Sequence, residues 1–502
     1  MYFGAQFLQS GAQVGSNESG GPGNEHALRR KSRLHVDATS GLWRDHAISS
    51  GRSSAWGTFG TKAEQLANRP FRYRQPLRSV TVTGQRIRLA VLGINYAPES
   101  TGIAPYTAGL ATGLAARGHD VQVLTGYPHY PQWRRADGYP GLRSEEYQGT
   151  VRVRRFNHSV PARNSARGRA AMELSFGLQL ITAGWNRPEV VVCVSPPLLA
   201  AAMATTRARL TRRRPAVGLL IHDVYSRAVV ETEAMSGAPA RAVRALESAT
   251  ARGADSVVVI HSGFTTDLVE RLGVDRSRIR VIRNWTHIAP ADPLASAAFR
   301  TARGWGDDDI VVLHAGNMGA KQGLENVIEA ARMAGDHQRR VRFVLLGDGN
   351  QRARLRDQAV GIAALEFLPP VPEREFPAAL GAADVLLVNE RPGVAQMAVP
   401  SKLTSYFTSG VPVLAATDAT GFTAHEVAAS GAGICVPAGR PELLLREAVR
   451  LGTDQAVARR LAEAGRRYVA STLSEGTALD RYEEWVRDLA GARRVRMGEG
   501  HR

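Results

Sequence analysis

Residues 311–325 read VVLHAGNMGAKQGLE, and the architecture of the chain follows from them. Val311, Val312 and Leu313 form an uncharged run that reads as a buried strand, and it enters a turn carrying Gly316, Gly319 and Gly323. Beyond the turn, Leu324, Val327, Ile328 and Ala331 recur at i, i+3, i+4 and i+7, the spacing of one buried helix face. A strand, a glycine turn and a helix in that order aim several backbone N–H groups and the positive end of the helix dipole at one point, which suits a phosphate or pyrophosphate. Lys321 adds a full charge there. The same segment also fits a plain tight turn with a solvated lysine.

Working outward, the alternation repeats on both sides. Residues 89–92 read as a strand and NYAPESTGIAP as a polar turn with Gly102; Tyr106, Leu110 and Leu114 then mark a helix ending at Gly118. Further strands are expected at 121–124, 151–156, 190–194, 217–221, 257–260 and 279–282, with helix-compatible segments between many of them. A polar, Ala-rich connection follows Trp285 and ends near Asp309, after which strands restart at Val311, Val341, 384–388, 411–414 and 433–436. The fold class is therefore α/β, two Rossmann-like, doubly wound parallel-sheet domains facing an inter-domain cleft, since ligands of open parallel sheets bind beyond the carboxyl ends of the strands. The expected boundaries are an extension at 1–85, domains at 86–286 and 287–475, a helix at 476–490 and a tail at 491–502. The helix presents Tyr482, Trp485 and Val486 on one face, suited to packing back on the first domain.

A length of 502 residues exceeds one ordinary domain, and 44% apolar content is ample for real cores. With 64 basic and 46 acidic residues the formal charge is +18, which favours polyanions such as nucleic acid, acidic lipid or phosphorylated substrates without choosing among them. Cys193 and Cys435 lie in apolar strand-like runs and read as buried thiols of a reducing compartment. The longest apolar run, residues 190–206, is broken by Pro196 and Pro197 and reads as strand, turn and helix start rather than a membrane span. Residues 1–85 carry Gly and Ser clusters and scattered arginines without periodicity, so they read as a disordered basic extension, with a nucleic-acid-binding tail as the sharper alternative. No basic start leads into an apolar core, so the expected location is cytoplasmic.

Several ordered motifs carry a resemblance: NYAPESTGIAPYTAGLATGLAARGHDVQVLT, YPHYPQW, HAGNMGAKQGLEN, LLGDGNQRARL, VPSKLTSYFTSGVPVLA and AGICVPAGRPELL. From about Arg88 to Leu489 the chain resembles the family 4 glycosyltransferases of the GT-B fold, and most of all the colanic-acid-type exopolysaccharide branch. The resemblance implies transfer of a sugar from a nucleotide-sugar to a hydroxyl acceptor with retention of configuration, no required metal and no cofactor beyond that co-substrate. It places Gly316, Asn317, Gly319 and Lys321 at the donor diphosphate, Gly347 and Gly349 against the nucleotide, and the segment 367–371 at the base. Where the family often has arginine this chain has Asn317, so Lys321, Lys402 and backbone N–H groups are expected to neutralise the diphosphate. Glu390 with Gly393 matches the first half of the family's paired-glutamate motif, while Ser405 stands at the second glutamate's place, eight residues after Met397.

Resemblance also sets Gly102 at a helix start by the donor phosphate and acceptor. His222 and Asp223 follow the strand at 217–221, where polar side chains reach a reacting centre; the alternative is a helix-capping aspartate beside a satisfied histidine. Glu99 is an acceptor-side candidate or a solvated loop carboxylate. Asp307, Asp308 and Asp309 resemble the acidic metal pair of the other glycosyltransferase fold but precede a strand at its amino end, so they read as a solvated turn. No Cys/His cluster has metal-ligand spacing, and no G-x-G-x-x-G follows a strand in the dinucleotide-binding manner. Arg207, Arg209, Arg212, Arg213 and Arg214 after the apolar run 198–203 fit either an anionic membrane surface, with a lipid-linked saccharide acceptor, or a solvated helix end. Two other functions stay open: a non-catalytic nucleotide-sugar-binding scaffold, and a nucleotide-sugar epimerase of the same fold.

Overall fold

The structure is a computed structural model and describes residues 85–99, 102–130, 132–162, 165–227, 237–335, 340–393 and 402–499. All but the last residue of the basic extension, and Met397, lie outside the described residues.

The described residues form fourteen strands, most of them from apolar runs: β1 (Arg88–Leu92), β2 (Asp120–Gly126), β3 (Arg143–Gln148), β4 (Val151–Phe156), β5 (Val190–Ser195), β6 (Ala216–Ile221), β7 (Ser256–Val259), β8 (Ile279–Val281), β9 (Ile310–Ala315), β10 (Val341–Leu346), β11 (Leu365–Leu368), β12 (Val385–Asn389), β13 (Val413–Ala416) and β14 (Gly433–Val436). The first eight form one sheet ordered β3-β4-β2-β1-β5-β6-β7-β8, and the other six a second sheet ordered β11-β10-β9-β12-β13-β14. All pairs are parallel except β3 with β4. Each sheet reverses its strand order beside one strand, β1 in the first and β9 in the second, and such reversals open the crevice where ligands bind. The loops after β1, β9 and β12 are thus fixed at the two crevices.

Helices α1 (Ala104–Ala116), α2 (Ala166–Thr182), α3 (Leu198–Leu210) and α4 (Gly237–Gly253) accompany the first sheet. The second sheet has α5 (Pro293–Ala302), α6 (Glu325–Ala334), α7 (Arg352–Gln358), α8 (Phe376–Gly381), α9 (Lys402–Ser409), α10 (Phe422–Ser430), α11 (Pro441–Thr453) and α12 (Gln455–Thr472). Its central strands β9, β12 and β13 are buried on both faces. Alternate residues of β9 enter different cores, with Ile310 and Val312 in one and Val311, Leu313 and Ala315 in the other, as the two-residue period requires.

The last helix, α13 (Glu475–Glu499), returns to the first sheet. Tyr482, Trp485, Val486 and Leu489 join that sheet's core, and Trp485 Nε1 donates to Ser256 Oγ at 2.9 Å. Gly218 in β6 makes room, because a Cβ there would lie 2.5 Å from the Trp485 ring. The helix outlasts its apolar stripe because Arg494 and Arg496 pair with Glu189 and Asp255 of the first sheet's rim.

Two sequence expectations change, and two strands, β3 and β11, lie outside the expected set. β3, RSEEYQ, carries no apolar signal and is held by cross-strand pairs of Glu145 with Arg152 and Glu146 with Arg155. Asp309 does not sit in a solvated turn; it is buried, accepts from Arg340, Arg342 and the Gly306 amide, and its carboxyl lies well below the usual range through those bonds. Cys193 is buried but Cys435 is exposed, since β14 is an edge strand. Among the described residues, no helix is long and apolar enough to cross a membrane and no group of side chains is arranged to hold a metal ion.

Candidate functional site

Two glycine turns interlock at the carboxyl edge of the second sheet. Gly316 follows β9 with φ 133° and Gly347 follows β10 with φ 137°; a Cβ on Gly347 would fall 2.1 Å from the Gly316 carbonyl oxygen. A Cβ on Gly349 would fall 2.4 Å from the Met318 carbonyl oxygen, so two backbones approach in a way only glycine permits. Met318 N–H donates to the Asp348 carbonyl at 2.8 Å and Gln351 N–H to the Met318 carbonyl at 3.0 Å, which joins the turns. The amides do not all converge on one ligand point: those of Gly316, Met318 and Gly319 already bond to Leu346, Asp348 and the Gln322 side chain. A short turn of tighter helix, Ala320–Gln322, carries Lys321 before α6 begins.

Lys402 opens α9 on the same side. A Cβ on Gly316 would lie 3.7 Å from Lys402 Nζ, and Nζ stands 3.2 Å from Nε2 of His314. His314 is fully buried in β9, and desolvation followed by the neighbouring lysine holds it well below its ordinary range, so the ring is neutral. An ammonium can only donate, so Nε2 accepts and Nδ1 carries the ring proton. Desolvation pushes Lys402 down to about 8, while Glu390 pulls it up. Tyr406 holds α9 to the strand, its hydroxyl accepting from the Ala315 amide at 2.8 Å.

Glu390 leaves β12 beside this lysine. Thr417 and Thr423 donate their hydroxyls to its two carboxylate oxygens, the second at 2.5 Å. Burial raises its carboxyl above the ordinary value against these bonds and the Lys402 charge. Its neighbour Asn389 donates to the carbonyls of Gln322 and Gly323 at 2.7 and 2.9 Å, tying the Lys321 turn to the same strand end. Gly316, Asn317, Gly319, Lys321, Gly347, Gly349, Glu390 and Lys402 thus share one edge, and Ser405 lies buried one turn into α9.

His222 and Asp223 stand at the carboxyl end of β6 in the first half. Both are buried, and neither His222 ring nitrogen meets a hydrogen-bond partner among the described residues. Burial pushes that ring down to about 4, so it is neutral, and the Tyr106 ring lies 6.0 Å away. Gly102, with φ 68°, is exposed just ahead of α1. Glu99 is buried rather than solvated: Oε1 accepts from the His129 and Tyr130 amides at 2.8 and 2.9 Å, and Oε2 from Asn95 at 2.8 Å, pinning the YPHYPQW turn to the loop after β1. The two carboxyl edges meet where Phe422 of α10 packs on His261, beyond β7, with ring centroids 4.8 Å apart.

Comparison with known proteins gives this arrangement a family. Residues 101–285 match the family described as "Glycosyl transferase 4-like domain" and residues 296–468 the one described as "Glycosyl transferases group 1". A protein of Escherichia coli strain K12 described as "Putative colanic acid biosynthesis glycosyl transferase WcaI" is 31% identical over 392 residues, 75% of this chain and 96% of that one. The chain belongs to the family 4 glycosyltransferases of the GT-B fold.

A probable glycosyltransferase of Pseudomonas aeruginosa, WbjE, is 26% identical over 290 residues, which is 55% of this chain and 69% of that protein. The fold recurs in the Anabaena protein HepE, solved in complex with UDP, at TM-score 0.58 and 15% identity over 80% of this chain and all of that one. It recurs in the sucrose-phosphate synthase of Thermosynechococcus elongatus at 0.59 and 18%, over 81% of this chain and 100% of the other.

Sequence reasoning missed several groups of this glycosyltransferase. His314, Asn389, Thr417 and Thr423 support the charged residues, and each is a polar side chain within or just beyond an apolar strand or at a helix start. A histidine inside VVLHA and an asparagine closing VLLVN are signals of that kind, because a buried polar group requires a partner.

Proposed function

We propose that this glycosyltransferase takes a sugar from a nucleotide-sugar whose diphosphate lies over residues 316–321, and transfers it with retention and without a metal ion to a saccharide or lipid-linked saccharide acceptor. The observation that carries the reading is the interlocked pair of glycine turns with Lys402 beside Gly316. Lys402 stands where the positive charge missing at Asn317 is needed. With Lys321 it stabilises the departing diphosphate through groups fixed before reaction, an effect of several kcal/mol where water is excluded. The solved complexes of HepE with UDP and with UDP-glucose support a nucleotide-sugar in this fold. The colanic acid relative supports exopolysaccharide or other cell-surface glycan synthesis.

As the bond from C1 to the phosphate oxygen breaks, positive charge builds on the sugar ring, and Glu390 and Asp223 are the carboxylates to balance it. The acceptor oxygen attacks on the face the phosphate leaves, and its proton passes to the departing phosphate oxygen. His222, neutral and without a protein partner for its ring nitrogens among the described residues, is suited to hydrogen-bond a sugar hydroxyl.

A lipid-linked acceptor fits one surface of the first half. Leu174 and Leu178 of α2 are 47% and 49% exposed, and Leu210, 81% exposed, ends α3, which packs on α2. Exposed Arg209, Arg212, Arg213 and Arg214 lie at that end, so apolar and cationic groups face an anionic bilayer at its cytoplasmic side. Thermal-shift screening of nucleotide-sugars, then turnover of the hits on lipid-linked saccharides, tests the reading. Binding with no turnover on any acceptor points to a scaffold, and turnover without acceptor to an epimerase.

A further inference from the structure

Helix α10 grips both halves of the molecule within its first turns. Phe422 is 7% exposed and, alone among the described residues from α5 through α12, belongs to the apolar core of the first half. Its ring packs on His261 and on Phe264, at centroid distances of 4.8 and 5.7 Å, with the Arg227 guanidinium 5.2 Å from its centre. The seat needs a glycine: a Cβ on Gly263 would fall 2.1 Å from the Phe422 ring. One turn on, the buried Glu426 pairs with Arg283, lies 3.7 Å from His261 Nε2 and accepts from the Tyr468 hydroxyl at 3.1 Å. Burial opposes its charge, but His261 and Arg283 outweigh that, so the carboxyl stays below its ordinary value.

Between these two anchors stands Thr423, fully buried, whose hydroxyl donates to Glu390 Oε1 at 2.5 Å. The other Glu390 oxygen is held by Thr417, which follows β13 and belongs wholly to the second half. One of the two hydroxyls fixing Glu390 therefore rides on a helix whose neighbours in sequence are seated in the opposite half.

We propose that Thr423 is a positioning residue for Glu390 and that Phe422 and Glu426 make its position depend on the seating of the first half against the second. When the cleft opens at this contact, Thr423 leaves Glu390 with the Thr417 bond alone; when it closes, the donor-side carboxylate is clamped between two hydroxyls. The inference rests on the donor-site reading given above and deepens it, because it ties the chemistry to contact between the halves.

The test compares Thr423→Val, which removes the hydroxyl at nearly constant volume, with Thr423→Ser, which restores it, and with Phe422→Ala, which touches neither Glu390 oxygen. The groups bearing on Glu390 are Lys402, with His314 behind it, Asp418, the Cys435 thiol and the two threonines, and the variants alter only Thr423 or its anchor. Hydrogen bonds favour the carboxylate, so losing one raises the Glu390 pKa. Thr423→Val is expected to cut kcat by about tenfold or more with donor affinity held within a few-fold, the scale of a lost hydrogen bond to a charged group. It is also expected to move the acid limb of the kcat–pH profile upward, and Thr423→Ser to restore both. Phe422→Ala is expected to move the same limb in the same direction and to speed amide exchange around Glu390. If Phe422→Ala does not fold, Phe422→Leu and Gly263→Ala probe the seat from its two sides.

Titration of the Glu390 carboxyl by carbon NMR needs no substrate, so it reads the coupling even if no nucleotide-sugar is turned over and the functional reading fails. A Glu390 titration unchanged in Thr423→Val overturns the positioning role. One shifted in Thr423→Val but unchanged in the folded seat variants overturns the dependence on the first half.

Discussion

Lys402 Nζ stands 3.2 Å from Nε2 of His314, a neutral ring that accepts its proton's hydrogen bond and adds no competing charge. Burial lowers the lysine to about 8, so it discharges as pH rises through that value. A diphosphate attracts only the ammonium. Affinity for a nucleoside diphosphate is therefore expected to be flat below pH 8 and to fall above it, with Lys402→Arg, charged throughout, losing the fall. Calorimetric titration across this range checks it, and a wild-type affinity that stays flat well above pH 8 removes Lys402 from the phosphate. The linkage to stability has the opposite sense: between about 8 and 10.5 the unfolded chain holds more protons than the folded one, so this residue makes stability rise with pH in that window.

Lys321 is expected to act on the phosphates and not on the base. Lys321→Ala should weaken nucleoside diphosphate binding by about 1.5–3 kcal/mol, the scale of a charge-assisted contact, and leave nucleoside binding nearly unchanged. Equal losses for both ligands would place Lys321 elsewhere.

The return of α13 to the first sheet is expected to hold that half together. Trp485 is fully buried against Gly218 and donates to Ser256, so Trp485→Ala should cost about 3–5 kcal/mol, the range for a large aromatic removed from a core. Denaturant unfolding reads the loss. A change below about 1 kcal/mol would mean the helix is only loosely docked.

Much of this could be read before the structure because continuous apolar strand runs and glycine turns report local requirements. Leu324, Val327, Ile328 and Ala331 all bury where the spacing places them. What could not be read depends on partners distant in sequence. Glu99 looks like a loop carboxylate until the His129 and Tyr130 amides meet it, and Asp309 looks solvated until Arg340 and Arg342 reach it. β3 has no apolar pattern because it is an exposed edge strand, held to β4 by its backbone ladder and by ionic pairs. The clamp on Glu390 stayed hidden since Thr417 and Thr423 follow it by 27 and 33 residues and become neighbours only when β12, β13 and α10 assemble.

Glu390 and Asp223 can be separated kinetically. Charge on the sugar builds mainly in the transition state, so Glu390→Gln is expected to cut kcat strongly with little change in donor affinity, and Asp223→Asn to do the same. Should Glu390→Gln stay within a few-fold of wild type while Asp223→Asn abolishes turnover, the first half carries the chemistry alone.

The most direct measurement is proton NMR of the reaction of a nucleotide-sugar, chosen by thermal-shift screening, with a lipid-linked saccharide, run with and without a strong chelator. The account predicts nucleoside diphosphate release that requires the acceptor, a product with the donor's anomeric configuration, and the same rate with chelator present. Inverted configuration, dependence on a divalent cation, or release at the same rate with no acceptor would contradict it.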